Sequence, residues 1–551
     1  MPLVVVLFAW GLIIGLVNPV GEFMVNDDWS FVESHRALFR EGRLIPTGWG
    51  QGGPSLIFHL LWGELFTRIF GDSVTTLRLS VMFLGIVGSC GFLVLLKDLG
   101  LSRWQSLLWA MLVTLNPLYL SLCFSYMTDI TFVALLILAL VAIQRAQSNA
   151  STKWFLAGLL LSVAAILTRQ IGLAIPLGFF FAVLSCLRQW PLGLIRSGLL
   201  LVAFTIVPWL SWEWTLQSLG STPVVRHEVL TNIWTQLAGG HWLDYVLSLG
   251  SRVGVILLYV GFFLSPFWIW SLSSWLRFPR VSRSVQVYGA AFVLFELAVL
   301  SGLVHPPVGF HRNVITNFGL GPLLFKDSYL LGVPALTPIP PALFYFLVFV
   351  AIPGAVLIAV ESILFLKRVA SNDQDGSPRF VSVFLWFTAA SYSFVIVLTG
   401  FHDRYLIPLV VLFLGWFAAE ERSRPSLTGP LPIAWLKGTS AVLFVGLGLF
   451  SVLATHDFVA TRRAADQAHQ FLLTELRVDP CNVDGGFEFN GFRCRWRVKD
   501  KKAGLSWWWV EREDYLVCLS PLPTYEVLRA YPIRRWLGRD GQVYVLKPIA
   551  R

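Results

Sequence analysis

The sequence predicts an all-α polytopic membrane protein that carries a small C-terminal α+β domain. Three observations lead there. Of 551 residues, 56% are hydrophobic and only 13% are charged, against roughly 25% charged in a soluble domain. Apolar runs of about twenty residues recur along the chain, each long enough to cross a bilayer as a helix. Residues 456–551 break that pattern with short mixed segments separated by turn residues.

Taken in order, the apolar windows predict about 13 transmembrane helices. They lie near 3–22, 78–97, 104–122, 129–145, 154–168, 171–187, 197–215, 252–275, 285–304, 341–366, 380–399, 405–419 and 437–455. The short windows 154–168 and 171–187 read as a tight hairpin or re-entrant pair. The first run has no basic leader and no A-x-A-like cleavage site, so it reads as a retained span. Within it, Gly11-x-x-x-Gly15 predicts a close helix contact. The expected division is a transmembrane unit over 1–455, with a first outer loop at 23–77, and an extracytoplasmic α+β unit over 456–551.

Charge sets the expected orientation. Lys97, Arg103, Arg145, Lys153, Arg188, Arg196, Arg277, Arg280, Arg283, Lys367, Arg368, Arg379, Arg422, Arg424 and Lys437 all fall in short connections on one side. The alternate connections include the long segments 23–77, 216–251 and 305–340, where positive charge is sparser. The positive-inside rule places the basic set in the cytoplasm and the long segments outside. A net charge of +10 spread over such loops forms no stripe for nucleic acid. Interfacial belts account for much of the Trp count of 24 and the Phe count of 43.

In the tail, Thr461 to Leu476 has Ala464, Ala468, Phe471 and Leu472 at helical spacing. The runs 504–510 and 515–519 are short mixed segments separated by turn residues, which suit a small α+β domain. Of six cysteines, Cys481, Cys494 and Cys518 lie in this region, where one disulfide would require an oxidising compartment.

The stretch with chemical content is Asn26-Asp27-Asp28-Trp29-Ser30-Phe31, just past the first run. Ser30-x-x-Glu33 has the form of a capping box, which puts the acidic pair at a helix N-terminus. Successive helical side chains diverge by roughly 100°, so only one of the two carboxylates can face any one cavity. Asp129, at the outer end of the fourth window, is a second acidic position on the same side. Two carboxylates from different loops suit a base and its partner, or a metal held between them. The bland readings are a solvated capping pair at 27–28 and an N-cap at Thr128-Asp129.

Arg169, Arg404, Arg312 and Lys326 fall on the same face. An arginine there suits a lipid phosphate, because its planar fork matches phosphate oxygens. Snorkelling or pairing with an acid is the alternative, and Asp403 is the obvious partner for Arg404. Glu296 falls inside the ninth window, where an ionisable group is costly. The histidines have no metal-ligand spacing, and no phosphate-binding glycine loop occurs.

These motifs together resemble the GT-C integral-membrane glycosyltransferases, which include protein O-mannosyltransferases and bacterial transferases that glycosylate lipid A or cell-wall glycans. The resemblance spans roughly residues 1–420. It rests on one span followed by Asp27-Asp28, then Phe31, Gly42-Arg43-Leu44 and Pro54. Asn116-Pro117 leading to Asp129, Leu167-Thr168-Arg169 and Arg404-Tyr405-Leu406-Ile407-Pro408 resemble the later signatures.

The resemblance implies a polyprenyl-phosphate sugar donor at the outer leaflet and attack by an acceptor hydroxyl with inversion. It implies Asp27, Asp28 and Asp129 as catalytic residues, with Asp27 the favoured base and Asp28 the second choice. Arg169, Arg404, Arg312, Lys326 and Tyr126 are the candidates for substrate or phosphate binding. Two departures stand out: only Tyr126 precedes Asp129 where relatives have an Arg-rich or Tyr-rich turn, and Asp28 stands where many have Glu. It leaves open whether a divalent metal bridges Asp27 and Asp129, and whether the acceptor is a glycan, a lipid or a protein. The expected setting is a bacterial inner membrane with the site outside and no nucleic-acid partner. A lipid or solute transporter is the rival reading. It would place ionisable groups at midplane, often in two related halves.

Overall fold

The structure is a computed structural model. It describes the chain except residues 45, 47–52, 186–191, 220–230, 232, 236–237, 240–241, 276–282, 302–312, 317–318, 334–340, 372–379, 422–432, 499–504, 507 and 550–551. The chain runs through helices α1 (Pro2–Val17), α2 (Asp28–Glu41), α3 (Ile57–Phe70), α4 (Val74–Asp98), α5 (Arg103–Thr114) and α6 (Pro117–Cys123). It continues with α7 (Thr128–Ser148), α8 (Thr152–Thr168), α9 (Ala174–Ser185), α10 (Leu192–Ser218), α11 (Trp242–Phe263) and α12 (Ser265–Trp275). Last come α13 (Arg283–Leu300), α14 (Pro341–Ser371), α15 (Phe380–Thr399), α16 (Ile407–Glu421), α17 (Ile433–Gln470) and the short α18 (Phe487–Cys494).

Every apolar window read from the sequence contains helix. Among the described residues, seven helices are long and apolar enough to cross a membrane: α4, α7, α10, α11, α14, α15 and α17. The pair α5 and α6 makes an eighth if its 65° bend is taken within one span. The bend has a local cause. Asn116 caps α6, its Oδ1 accepting from the Leu118 and Tyr119 N–H groups at 3.0 and 3.4 Å, and Pro117 at the first helical position cannot continue α5. Four further helical segments, 2–17, 152–168, 170–185 and 286–300, are apolar but shorter. The positions of about thirteen windows are thus matched, while length and composition carry seven or eight crossings.

Helix contacts in the bundle run through small residues, as expected where close packing rather than water drives association. A Cβ on Gly178 would stand 2.6 Å from the Thr388 backbone nitrogen, and one on Gly261 would stand 2.5 Å from that of Ala355. These glycines hold α9 against α15 and α11 against α14. Gly11 and Gly15 do not behave this way. A Cβ on either would meet nothing within 4 Å, and α1 instead buries the opposite face through Val6, Trp10, Ile13 and Val17.

The window at 437–455 and the amphipathic stretch from Thr461 form one continuous helix, α17, because no proline or glycine interrupts 452–470. It widens into a π turn at Phe471–Glu475. Ala464, Ala468 and Leu472 are buried there, as the spacing predicts. They pack with Val483, Val517, Val543 and Val545 of a four-stranded sheet. Its strands are β3 (Val483–Asp484), β4 (Tyr515–Cys518), β5 (Tyr525–Ile533) and β6 (Gly541–Pro548), after a two-residue hairpin of β1 (Ile315–Thr316) and β2 (Gly319–Leu320). The order is β3-β4-β6-β5, with only β3 and β4 parallel. The described residues of 504–510 form turns and bends. Trp508 goes into an aromatic cluster with Trp29 and Phe487. Cys481 and Cys494 form the single disulfide among the described residues, leaving Cys518 free and buried.

Candidate active site

The acidic pair divides at the start of α2, in the way the helical angle requires. Asp27 is the N-cap and its side chain does not cap. Its Oδ2 accepts from Arg404 Nη2 at 2.9 Å, and the side chain keeps 23% of its exposure. Asp28 turns inward and is wholly buried. Its Oδ1 accepts from the Val25 N–H at 2.6 Å and its Oδ2 from the Tyr126 N–H at 3.1 Å. Asp28 therefore latches the start of α2 to the turn before α7, and it is not placed to meet a substrate. The expected capping box does not form. The helix begins two residues before Ser30, whose hydroxyl donates to the Asp27 carbonyl at 2.8 Å.

Burial pushes the Asp28 carboxyl up to about 7, against the two backbone donors and the Arg78 charge that favour its ionised form. The same holds for Asp403, also raised to about 7 by burial. A carboxyl whose folded value lies above its unfolded value binds its proton more tightly when folded. Its stabilising contribution is thus full below about pH 4 and is lost as pH rises towards 7. Infrared titration of the purified protein is expected to show a protonated-carboxyl band fading near pH 7. That band should weaken in Asp28→Asn.

The remaining groups form a chain of alternating charge. Arg169 lies at the break after α8, with extended backbone, and its Nη1 donates to Asp129 Oδ1 at 2.6 Å. Tyr405 stands between the two arginines, its ring centroid 4.6 Å from Arg169 Cζ and 5.5 Å from Arg404 Cζ. The series from Asp27 through Arg404, Tyr405 and Arg169 to Asp129 thus joins the start of α2, the 403–406 turn, the α8 break and the start of α7. Both Asp27 and Asp129 act electrostatically on Arg404. Among the described residues, the buried Arg404 Nε and Nη1 have no hydrogen-bond partner, and the same is true of Asp129 Oδ2. Asp129 is no N-cap: Met127 holds that position.

Asp403 does not take the Arg404 guanidinium. Its carboxylate accepts from the N–H groups of Val314, Ile315 and Arg404, at 2.7 to 3.1 Å, and so ties β1 to the turn. Tyr126 is fully buried, and its hydroxyl donates to the His59 carbonyl at 3.2 Å. It shapes the turn that Asp28 grips and is not exposed for binding. Lys326 is ion-paired with Glu513 of the C-terminal region, apart from the charge chain. Arg312 lies outside the described residues. Glu296 is buried in α13, and neither carboxylate oxygen has a hydrogen-bond partner among the described residues. Among the described residues no group of three or more His, Cys, Asp or Glu could hold a metal. Asp27 and Asp129 each meet an arginine instead, so the residues present do not fit a bridging cation.

Sequence reasoning missed what steadies this site from behind. The Asn26 N–H donates to Glu488 Oε1 at 3.1 Å, and Glu488 is paired with Arg462 at 2.6 Å. Trp29 is enclosed by Phe487, Trp508 and Trp509. This approach requires glycine at 491, where a Cβ would stand 2.6 Å from the Trp29 ring. Arg78 donates to the carbonyls of Pro19, Gly21 and Phe23, fixing the irregular segment that leads into Asp27. These partners are separated by up to 462 residues, and no local pattern marks them.

No curated protein matches the chain in sequence. Two solved structures resemble it in shape. The crystal structure of ArnT from Cupriavidus metallidurans bound to undecaprenyl phosphate shares 15% identity, covers 100% of this chain and 97% of its own, and gives a TM-score of 0.45. The apo state of the same protein shares 16% identity, covers 99% and 98%, and gives 0.39. The family model of dolichyl-phosphate-mannose-protein mannosyltransferases matches residues 54–212, the stretch that holds Tyr126, Asp129 and Arg169. Over that stretch the chain is similar to this GT-C mannosyltransferase family, which is the resemblance its motifs carry.

Proposed function

We propose that the chain is a membrane glycosyltransferase that moves a sugar from a polyprenyl-phosphate donor to an acceptor hydroxyl. The observation that supports this most is Arg404. One nitrogen of its guanidinium holds the partly exposed Asp27 carboxylate, while two buried N–H donors stay unengaged. A general base and an anion-binding fork therefore meet on one side chain. In the proposed step the acceptor oxygen bonds to the anomeric carbon from the face opposite the phosphate. The bond from that carbon to the phosphate oxygen breaks, and the electron pair leaves with the phosphate. The acceptor proton passes to Asp27. Arg404, with Arg169 across Tyr405, stabilises the charge that develops on the leaving phosphate. Asp129 positions Arg169.

The site faces outward in this reading, with the basic connections in the cytoplasm. The Cys481–Cys494 disulfide supports an oxidising compartment for residues 456–551. Those residues help choose the acceptor, since they reach the Asp27 turn through Glu488. The transporter reading draws on Glu296, whose deep carboxylate lacks a partner. Membrane vesicles given a polyprenyl-phosphate sugar labelled in the sugar separate the two. Covalent transfer of label with release of polyprenyl phosphate is expected. Uptake of label without transfer would overturn the enzyme reading.

A further inference from the structure

Between the first outer loop, the end of α17 and α18 lies a cavity of about 210 Å³. None of its lining residues belongs to the Asp27-to-Asp129 chain. Six of them matter: Glu22, Arg36, Asp466, Glu488, Phe492 and Arg493.

The three carboxylates are already engaged. Glu22 accepts from the Val74 and Thr75 N–H groups at 3.0 and 3.3 Å. Glu488 holds Arg462 and Asn26. Asp466 accepts from the Gln470 side chain and the Glu22 backbone.

The two arginines differ. Their guanidinium carbons stand 4.9 Å (Arg36) and 5.5 Å (Arg493) from the Phe492 ring centroid, and neither is in an ion pair among the described residues. Arg36 Nε is buried with no partner. Burial, with the charges of Arg40 and Arg493, holds the Arg36 guanidinium below its ordinary value despite the pull of Asp72. The two cations repel each other across the ring. Asp466 offsets part of this at Arg493, and Asp72 and Glu22 at Arg36, but no carboxylate among the described residues bonds either guanidinium, so both forks can still take an anion.

We infer that this cavity binds the phosphate ester of a small headgroup between Arg36 and Arg493, as a second anion site apart from Arg404. A doubly charged phosphate matches two guanidinium forks, each able to bond in bidentate fashion. The volume lies below the roughly 300 Å³ at which drug-sized sites begin, so the cavity admits a headgroup and not a chain. Such a ligand sits directly behind the Asp27 turn, because Glu488 is both cavity wall and partner of Asn26.

The test is calorimetric titration of the full chain, in phosphatidylcholine nanodiscs, with inorganic phosphate. The Arg404→Gln background removes the proposed donor-phosphate contact, so remaining binding belongs to the cavity. In that background Arg36→Gln and Arg493→Gln are each expected to weaken binding at least about tenfold, and the double variant about a hundredfold or more. Arg493 is exposed, so its substitution leaves the fold intact, as an unchanged unfolding midpoint would confirm. Absence of phosphate binding in Arg404→Gln, or equal binding in the double variant, overturns the inference. Discs containing phosphatidic acid identify the source. Competition with phosphate there marks a lipid headgroup, no competition marks a soluble or acceptor ester, and either result supports the site. Binding is read without turnover, so its failure and a failure of transfer are separate results.

Discussion

Asp27→Asn is expected to lower the rate of sugar transfer by about 10²–10⁴-fold, the range that a positioned general base supplies, with the unfolding midpoint unchanged. The asparagine Oδ1 keeps the contact with Arg404, so the turn persists while the proton acceptor is lost. Because Asp27 retains partial exposure, the new amide stays within reach of water. Asp28→Asn separates chemistry from structure. Its amide would turn a donor towards the Val25 or Tyr126 N–H group, and a buried unmet donor costs about 1–3 kcal/mol. That variant is expected to lose stability, with transfer per folded molecule largely kept. Thermal unfolding and initial rates measured on the same preparations distinguish the two carboxylates.

Arg404→Gln carries the second large effect. The substitution removes the charge that faces the leaving phosphate and frees Asp27 from its fixed orientation. A loss of about 10²–10³-fold in kcat is expected, comparable to removal of one preorganised donor at a developing anion. Arg404→Lys is expected to recover little. A single ammonium can hold Asp27 or meet the phosphate, but its point charge cannot reproduce a planar fork that does both. Steady-state rates over a range of donor concentrations check this, since the loss should lie in kcat more than in KM.

Much of this arrangement is legible in the sequence. The apolar windows locate the helices because hydrocarbon requires long uncharged runs whatever their neighbours are. The Asp27-Asp28 pair, Asp129, Arg169 and Arg404 stand out because a charge at a span end is rare and therefore informative. The divergence of adjacent helical side chains anticipates that Asp27 and Asp28 part company. Which of the two turns inward was not readable, since it depends on the Val25 and Tyr126 N–H groups, the latter 98 residues away. The alternative partner that the sequence offers for Arg404 does not take it, for a related reason. Asp403 is adjacent in sequence, yet β1 offers its carboxylate backbone donors, and the guanidinium reaches Asp27, 377 residues away. The place of Trp508 was not readable, because apolar aromatic runs look alike whether they pair with a sheet or wedge against a distant ring. Gly11 and Gly15 show the opposite failure: the small-residue pattern is present, but no helix among the described residues covers it.

The central claim is that Asp27, held by Arg404, is the base that activates an acceptor hydroxyl against a lipid-phosphate sugar. Its most direct test is release of free polyprenyl phosphate from a synthetic donor by protein reconstituted in liposomes, comparing wild type, Asp27→Asn and Asp28→Asn per folded molecule. The expected result is acceptor-dependent release in wild type and Asp28→Asn, and near-background release in Asp27→Asn. Full release by Asp27→Asn, or none by wild type with any acceptor glycan, lipid or protein supplied, would contradict it.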